Sequence, residues 1–247
     1  MAAIHIDAER LHYTPLNQKI RAAIADGAKE IILDHVLGQR FIGDGLRGED
    51  VTITVNGVPG GDLAAFMSGP SIIVNGNADH APGNTMDQGR VIIHGSAGDA
   101  VAHSMRGGRV YVRGNIGYRG GIHMKQYKDK RPILVVGGAA RAFLGEYMAG
   151  GLLIVLGLNG IIPIAERGVG SGIHGGEIYV RGNVDQKYLG VGAKQAPASE
   201  DQKKLIAPVV EDFARSFGLD PSALLASDFT RIGPASARPF ASKYTLE

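Results

Sequence analysis

Methionines stand at Met67, Met86, Met105 and Met124, each 19 residues after the last. Glycines keep the same beat at Gly38, Gly57, Gly76, Gly95 and Gly114. Between Met and Gly lie a glycine-containing turn and a short β-branched run, as in MDQGRVIIHG from Met86 to Gly95. Two columns on one period restrict the chain to a solenoid, in which copies of a short unit stack on one another. A unit of 19 residues is too short for a helix–turn–helix repeat or a four-stranded propeller blade. Its apolar part, such as Val91-Ile92-Ile93, has the composition and length of a strand. The sequence therefore predicts an all-β fold, a single right-handed parallel β-helix of about eight coils from Gly38 to Gly182. Coils stacked at roughly 4.8 Å give a rod on the order of 40 Å long. In such a rod the Met column fills the interior, where a flexible thioether suits irregular gaps. The closing glycines turn each coil sharply, for which φ > 0 is the expected conformation.

The period fails twice. Met124 to Gly137 spans 13 residues where the other coils span 9, which places a four-residue insertion within Lys125–Arg131. Gly157 to Gly182 spans 25 residues, about six more than one coil, around Asn159–Gly172. Insertions in solenoids fall on one face, often the binding face. The first combines an aromatic, Tyr127, with the cations Lys125, Lys128, Lys130 and Arg131, a mixture suited to an acidic partner. Arg167 adds a cation at the second break. These six residues are the candidate partner interface.

The flanks differ from the repeat. Ile4-His5-Ile6 reads as a short strand. Thr14 as N-cap and Pro15 at the first helical position predict a helix over 15–26, with Leu16, Ile20, Ala23 and Ile24 on one face and Gly27 as the stop. Such a helix covers the open end of a solenoid. Beyond Lys187 glycine becomes sparse. Ser199-Glu200-Asp201 opens a helix with an apolar face of Leu205, Ile206, Val209, Val210, Phe213 and Phe217, kinked or bounded at Pro208 and stopped at Gly218. Asp220-Pro221 starts a short helix through Ala226, and the apolar segment Arg238–Tyr244 is expected to pack on the rod or on a partner. The resulting organisation is an N-terminal cap (1–28), a β-helix (29–186) and a helical and extended tail (187–247).

Composition narrows the chemistry. With 26 Lys plus Arg against 24 Asp plus Glu, the net charge is +2, which gives no electrostatic footprint for nucleic acid or an anionic membrane. The chain has no Cys, so it offers no disulfide, thiolate zinc site, iron–sulfur ligand or Cys nucleophile. The N-terminus lacks a signal-peptide pattern, and the apolar run Gly150–Gly160 is far too short to span a bilayer. The expected location is the cytoplasm.

Motifs point the same way. Gly43–Gly48 and Gly170–Gly175 match G-x-G-x-x-G, but a dinucleotide site needs a helix after the glycines, and here strand-like residues follow. There is no G-x-S-x-G elbow. Ser104 and Ser171 have His103 and His174 nearby in sequence, which does not make a triad. His94, His103, His123 and His174 recur near equivalent coil positions, and read best as imidazoles satisfying polar groups on stacked corners.

The coils, for example Gly95-Ser96-Ala97-Gly98 leading to Met105-Arg106-Gly107-Gly108, resemble the GXGXG domain. That domain is the right-handed β-helix at the C-terminus of the glutamate synthase large subunit, and it also forms one of the subunits of formylmethanofuran dehydrogenase. Gly121–Pro132, Phe143–Gly151 and Gln39-Arg40-Phe41-Ile42-Gly43 resemble the stand-alone, archaeal-type version, and the resemblance covers essentially the whole chain. It implies a division of labour. In glutamate synthase a glutaminase domain and an FMN and iron–sulfur synthase domain exchange ammonia, while the GXGXG domain is a spacer without catalytic residues. The expectation is thus a non-catalytic scaffold subunit of a multi-subunit glutamate synthase-like complex, which converts glutamine and 2-oxoglutarate to glutamate. Its partners are an FMN/Fe–S synthase core subunit and a class II glutamine amidotransferase subunit, and no catalytic, cofactor or metal residue is expected in this chain. The alternative is the GXGXG scaffold of a formylmethanofuran dehydrogenase-like or formyltransferase/hydrolase complex. An independent esterase is the reading from another class.

Overall fold

A strand sends alternate side chains to opposite faces, so one stacked position in each coil becomes a column. In the computed structural model, which describes residues 3–236 except Glu49, those columns are the core. After β1 (Ile4–Asp7) and α1 (Tyr13–Ala25), eight strands stack in parallel: β2 (Glu30–Leu37), β3 (Thr52–Val58), β4 (Ser68–Asn75), β5 (Gln88–Ile93), β6 (Arg109–Val112), β7 (Ile133–Val136), β8 (Ala149–Val155) and β9 (Gly175–Arg181). Ile31, Ile53, Ile72, Val91, Val110, Leu134, Leu153 and Ile178 form one register column. Leu33, Val55, Val74, Ile93, Val112, Val136, Val155 and Val180 form a second, two residues on. All of these residues are buried, as are Met67, Met86, Met105, Met124 and Met148. The Met column does lie inside.

The solenoid makes about seven turns, not eight coils. Eight strands enclose seven intervals, and Gly38 does not belong to the glycine stack. Leu33 lies opposite Val55 but Val36 opposite Gly57, so a bulge lengthens the first turn. The 19-residue step from Gly38 to Gly57 is therefore a coincidence of spacing. The first insertion also differs by one residue. The Gly138 N–H bonds the Gly114 carbonyl, and Val112 faces Val136, so five residues are inserted and the stack runs through Gly138 rather than Gly137.

Gly57 and Gly182 take the positive φ expected of a closing glycine, whereas Gly76, Gly95 and Gly114 are needed for clearance, not for their own φ. A Cβ on Gly95 would stand 2.7 Å from the Gly76 carbonyl oxygen, and Gly95 is not among the positive-φ residues. The left-handed conformations lie earlier in each coil, at three alternate positions. Asp62, Ala64 and Phe66 adopt it, as do Ala100, Ala102 and Ser104 a further two coils along. In the last coil the three are Gly168, Gly170 and Gly172, a G-x-G-x-G. Alternation makes successive N–H groups point up and down the rod: Asp62 donates to His80, Ala64 to Ile42 and Phe66 to Asn84. Each non-glycine there costs on the order of 1–2 kcal/mol, offset by hydrogen bonds to both neighbouring coils. At the next corner side chains continue the ladder, with the Asn77, Ser96 and Asn115 oxygens accepting from Ser96, Asn115 and Ala139 N–H. Neither G-x-G-x-x-G match precedes a helix; each belongs to a left-handed turn ahead of a strand.

The flanks close both ends. β1 pairs in parallel with β2, and α1 buries Leu16 and Ile20 in the coil core. Its N-cap is His12, not Thr14. The His12 backbone is extended and its Nδ1 accepts the Thr14 N–H at 3.3 Å, so the helix starts earlier and Pro15 still falls in the first turn, where no N–H is required. The chain then adds β10 (Ala193–Pro197), α2 (Glu200–Ser216), α3 (Ser222–Leu225) and β11 (Phe229–Pro234). β11 lies antiparallel between β9 and β10. Ser199 and Gln202 form a capping box at the start of α2, which runs unbroken through Pro208. Pro208 and Lys204, whose carbonyl it leaves without a donor, are both exposed, so water can replace the missing bond. Ile206, Val210 and Phe213 of α2 pack on the outer face over Tyr111, Val135, Ile154 and Tyr179, a second core outside the first. Arg238–Tyr244 lies outside the described residues.

Candidate functional site

The first break in the period folds into a tight hairpin. Lys125 N–H bonds the Met105 carbonyl at 3.0 Å and Ile133 N–H bonds Gly108 at 3.0 Å, so both ends are tied to the coil below. Between them Tyr127 and Lys130 exchange backbone hydrogen bonds of 3.2 and 3.1 Å, with Lys128 in the left-handed region at the tip. The Lys128 ammonium lies 5.4 Å from the Tyr127 ring centroid. Lys130 reaches back to Asp87 at 2.9 Å. The Ser68 hydroxyl, and then Lys130, hold the Asp87 carboxyl below its usual range against the opposing effect of burial.

Beneath the hairpin is an open cleft of about 400 Å³ lined by Asp87, Arg106, Lys125, Tyr127 and Lys130. Three of the predicted residues, Lys125, Tyr127 and Lys130, meet there, and Lys128 lies against the Tyr127 ring without lining the cleft. Arg131 does not join them. It turns to Glu177 at 3.5 Å, which Arg231 also pairs at 2.7 Å. Arg167 is exposed beside another corner, where its carbonyl accepts the Phe143 N–H, and no described contact links it to the hairpin.

Arg106 and Asp87 were not anticipated, although the period contains them. Asp87, Arg106 and Lys125 each follow a column methionine and stand 19 residues apart. Their amides repeat one bond, to Met67, Met86 and Met105 carbonyls respectively, which stacks them directly.

A second polar cluster lies on the left-handed segments. Ser104 Oγ is 3.4 Å from His103 Nε2, His103 Nδ1 is 3.2 Å from Asn84 Oδ1, and Asn84 donates to Asp62 at 2.9 Å. Burial, and then His123, hold the His103 imidazole below its usual range. The Ser104 N–H is committed to the Ile122 carbonyl at 2.9 Å, so it does not offer an oxyanion donor. His174 Nδ1 meets the Gly172 carbonyl at 3.0 Å, and the His94 ring packs edge-on against Phe217. Among the described residues no group of three or more His, Cys, Asp or Glu is placed to hold a metal ion. No helix among them is long and apolar enough to cross a membrane.

Comparison with known proteins adds two findings. The model of the GXGXG motif family matches residues 13–235. An uncharacterised protein of Methanocaldococcus jannaschii is 55% identical over 254 aligned positions, covering 99% of this chain and 97% of the relative.

Proposed function

The chain belongs to the GXGXG motif family, and from that premise we propose that it is a non-catalytic scaffold subunit of a glutamate synthase-like complex. The observation that supports this reading is the extent of the match, which takes in the coils together with most of the two flanks that close them. In this reading the rod positions two active partners. One is a class II glutamine amidotransferase subunit that releases ammonia from glutamine. The other is an FMN/Fe–S synthase subunit, part of an oxidoreductase, that combines ammonia with 2-oxoglutarate to give glutamate. FMN and the clusters belong to that partner, and the complex works in the cytoplasm. The hairpin residues Lys125, Tyr127, Lys128 and Lys130 are one of the docking points.

Affinity purification of the tagged chain from its native cell tests the reading. Recovery of a flavin and iron–sulfur subunit, with glutamine-dependent glutamate formation that falls when this chain is omitted, is the expected result. Recovery of an amidohydrolase-like subunit would instead indicate the formylmethanofuran dehydrogenase-type scaffold. Ester hydrolysis by the pure chain, abolished by Ser104→Ala, would overturn the scaffold reading.

A further inference from the structure

We propose that the cleft under the Tyr127–Lys130 turn takes a carboxylate-rich segment of a partner subunit, with Arg106 and Lys125 as its principal receptors. The proposal rests on the scaffold reading for the existence of a partner, and on the cleft itself for the partner's chemistry.

The stacked column is electrostatically unbalanced. Asp87, Arg106 and Lys125 occupy successive coils, about 4.8 Å apart by the strand spacing. Asp87 already has Lys130 at 2.9 Å. Arg106 gives one N–H to the His123 carbonyl at 3.2 Å and makes no ion pair among the described residues. Lys125 makes none either. Two like charges therefore sit on neighbouring coils, neither of them in an ion pair, and at this spacing they repel. Three cations line the cleft against one carboxylate, a local excess of two charges. The whole chain of 247 residues has a net charge of only +2. The excess is a local feature of this cleft.

The geometry favours a carboxylate on a chain over a free small anion. An arginine fork can take a carboxylate through two parallel bonds, and the adjacent ammonium adds a point charge. Tyr127 is 58% exposed at the cleft wall and offers an aromatic anchor of the kind that dominates protein interfaces. The cleft is open to solvent rather than enclosed, and its lining residues come from three successive coils and the hairpin, so a segment of chain can reach Arg106 and Lys125 together. The five-residue insertion builds this wall; without it Arg106 and Lys125 would lie on a flat coil face.

The test uses the full chain and a fluorescein-labelled peptide with four consecutive glutamates in a neutral frame, beside its glutamine counterpart. The glutamate peptide should bind at low salt and weaken at high salt. Arg106→Gln/Lys125→Gln, which keeps the side-chain stems and needs no new charge to be accommodated, should bind it at least about tenfold more weakly, some 1.4 kcal/mol. Equal binding of the two peptides, or undiminished binding by the variant, overturns the proposal. So does succinate that competes as well as the peptide, which would make this a small-dianion site. In the cell, the variant should capture the partner subunits about tenfold less well while its circular dichroism is unchanged. Undiminished capture overturns this inference and leaves the scaffold reading intact. If the wild-type chain captures no partner at all, the scaffold reading fails, and the peptide experiment still decides what the cleft binds.

Discussion

The inside of the solenoid and its outer face over β6–β9 are both apolar, but they are held by different means. Inside, each position contributes one side chain per coil, and every side chain touches its counterparts above and below. The result is a stack whose members share one environment and one hydrogen-bonded frame. Outside, Tyr111, Val135, Ile154 and Tyr179 are covered by the tail, with Leu224 of α3 and Phe229 of β11 packed beside the principal cover, helix α2. That helix is fastened by charge as well as by packing. Asp212 meets Arg90 at 3.0 Å, Arg109 at 2.6 Å and the Tyr111 hydroxyl at 2.8 Å. The inner core should therefore respond as one cooperative body, while the outer core can open alone.

An inner-core charge gives the largest expected effect. Val110 is fully buried, and Val110→Asp places a carboxylate between Val91 and Leu134 with no partner. Loss exceeding about 4 kcal/mol is expected, enough to prevent folding, with the β-sheet circular dichroism signal absent. A soluble variant with normal strand signal would break the picture of a tightly stacked interior.

On the outer face, Phe213→Ala removes a buried ring that packs edge-on against Tyr111 at 5.7 Å. About 3–4 kcal/mol of the helix's docking energy should go with it. Hydrogen exchange should quicken in α2 while the amides of β4–β6 stay protected. Uniform deprotection of rod and helix would show that the two cores unfold together.

How much of this was legible in the sequence follows the same division. The inner core was readable because a solenoid repeats its instructions: Met67, Met86 and Met105 say the same thing three times. The helix face of α2 was readable too, but not where it would dock. Tyr111 and Tyr179 sit at outward positions and are separated from Phe213 by about a hundred and about thirty residues, with no period to join them. The closing glycines from Gly57 to Gly114 are legible as a stack, but the positive φ expected of them holds at Gly57 and not at Gly76, Gly95 or Gly114, since clearance above a neighbouring carbonyl is a property of stacking that no single coil displays. The left-handed triplets were hidden for a related reason. Only the Gly168, Gly170 and Gly172 coil has glycine at all three places; elsewhere Asp62, Ala100 or Phe143 accepts the strain. At the candidate site the insertion announced Lys125, Tyr127 and Lys130. Arg131 belongs with them by nearness in sequence and Arg167 only as a cation at the second break, and in a solenoid both are poorer guides to who meets whom than coil position.

Asp212→Asn should have a smaller effect, about 2 kcal/mol, because Arg90 and Arg109 are left without their carboxylate but remain partly solvated. Acid should act in the same way. Burial alone would raise the Asp212 carboxyl, but the Tyr111 hydroxyl and then Arg90 and Arg109 outweigh it and hold the group below its usual range. A lowered folded-state value gives stability that is complete above the unfolded value of about 3.9 and is lost as pH falls through the folded one. Protection of the α2 amides, taken relative to their intrinsic exchange rate at each pH, should thus be unchanged from pH 7 to 5 and fall below about pH 4, before the strands respond. If α2 loosens near neutrality instead, the carboxylate cluster does not hold it.

The hairpin belongs to neither core, and its ion pair should contribute least. The Lys130 and Asp87 side chains are 45% and 41% exposed, so solvent screens their 2.9 Å contact. Lys130→Met should cost no more than about 0.5 kcal/mol, a fall in melting temperature of about 1–2 °C. Both ends of the insertion stay tied by the Lys125 and Ile133 amides, which the substitution does not touch. A fall of many degrees would mean that the turn braces the coils. A small fall would separate the two kinds of sequence in this chain, the repeated coils that supply stability and the interruption that supplies a surface.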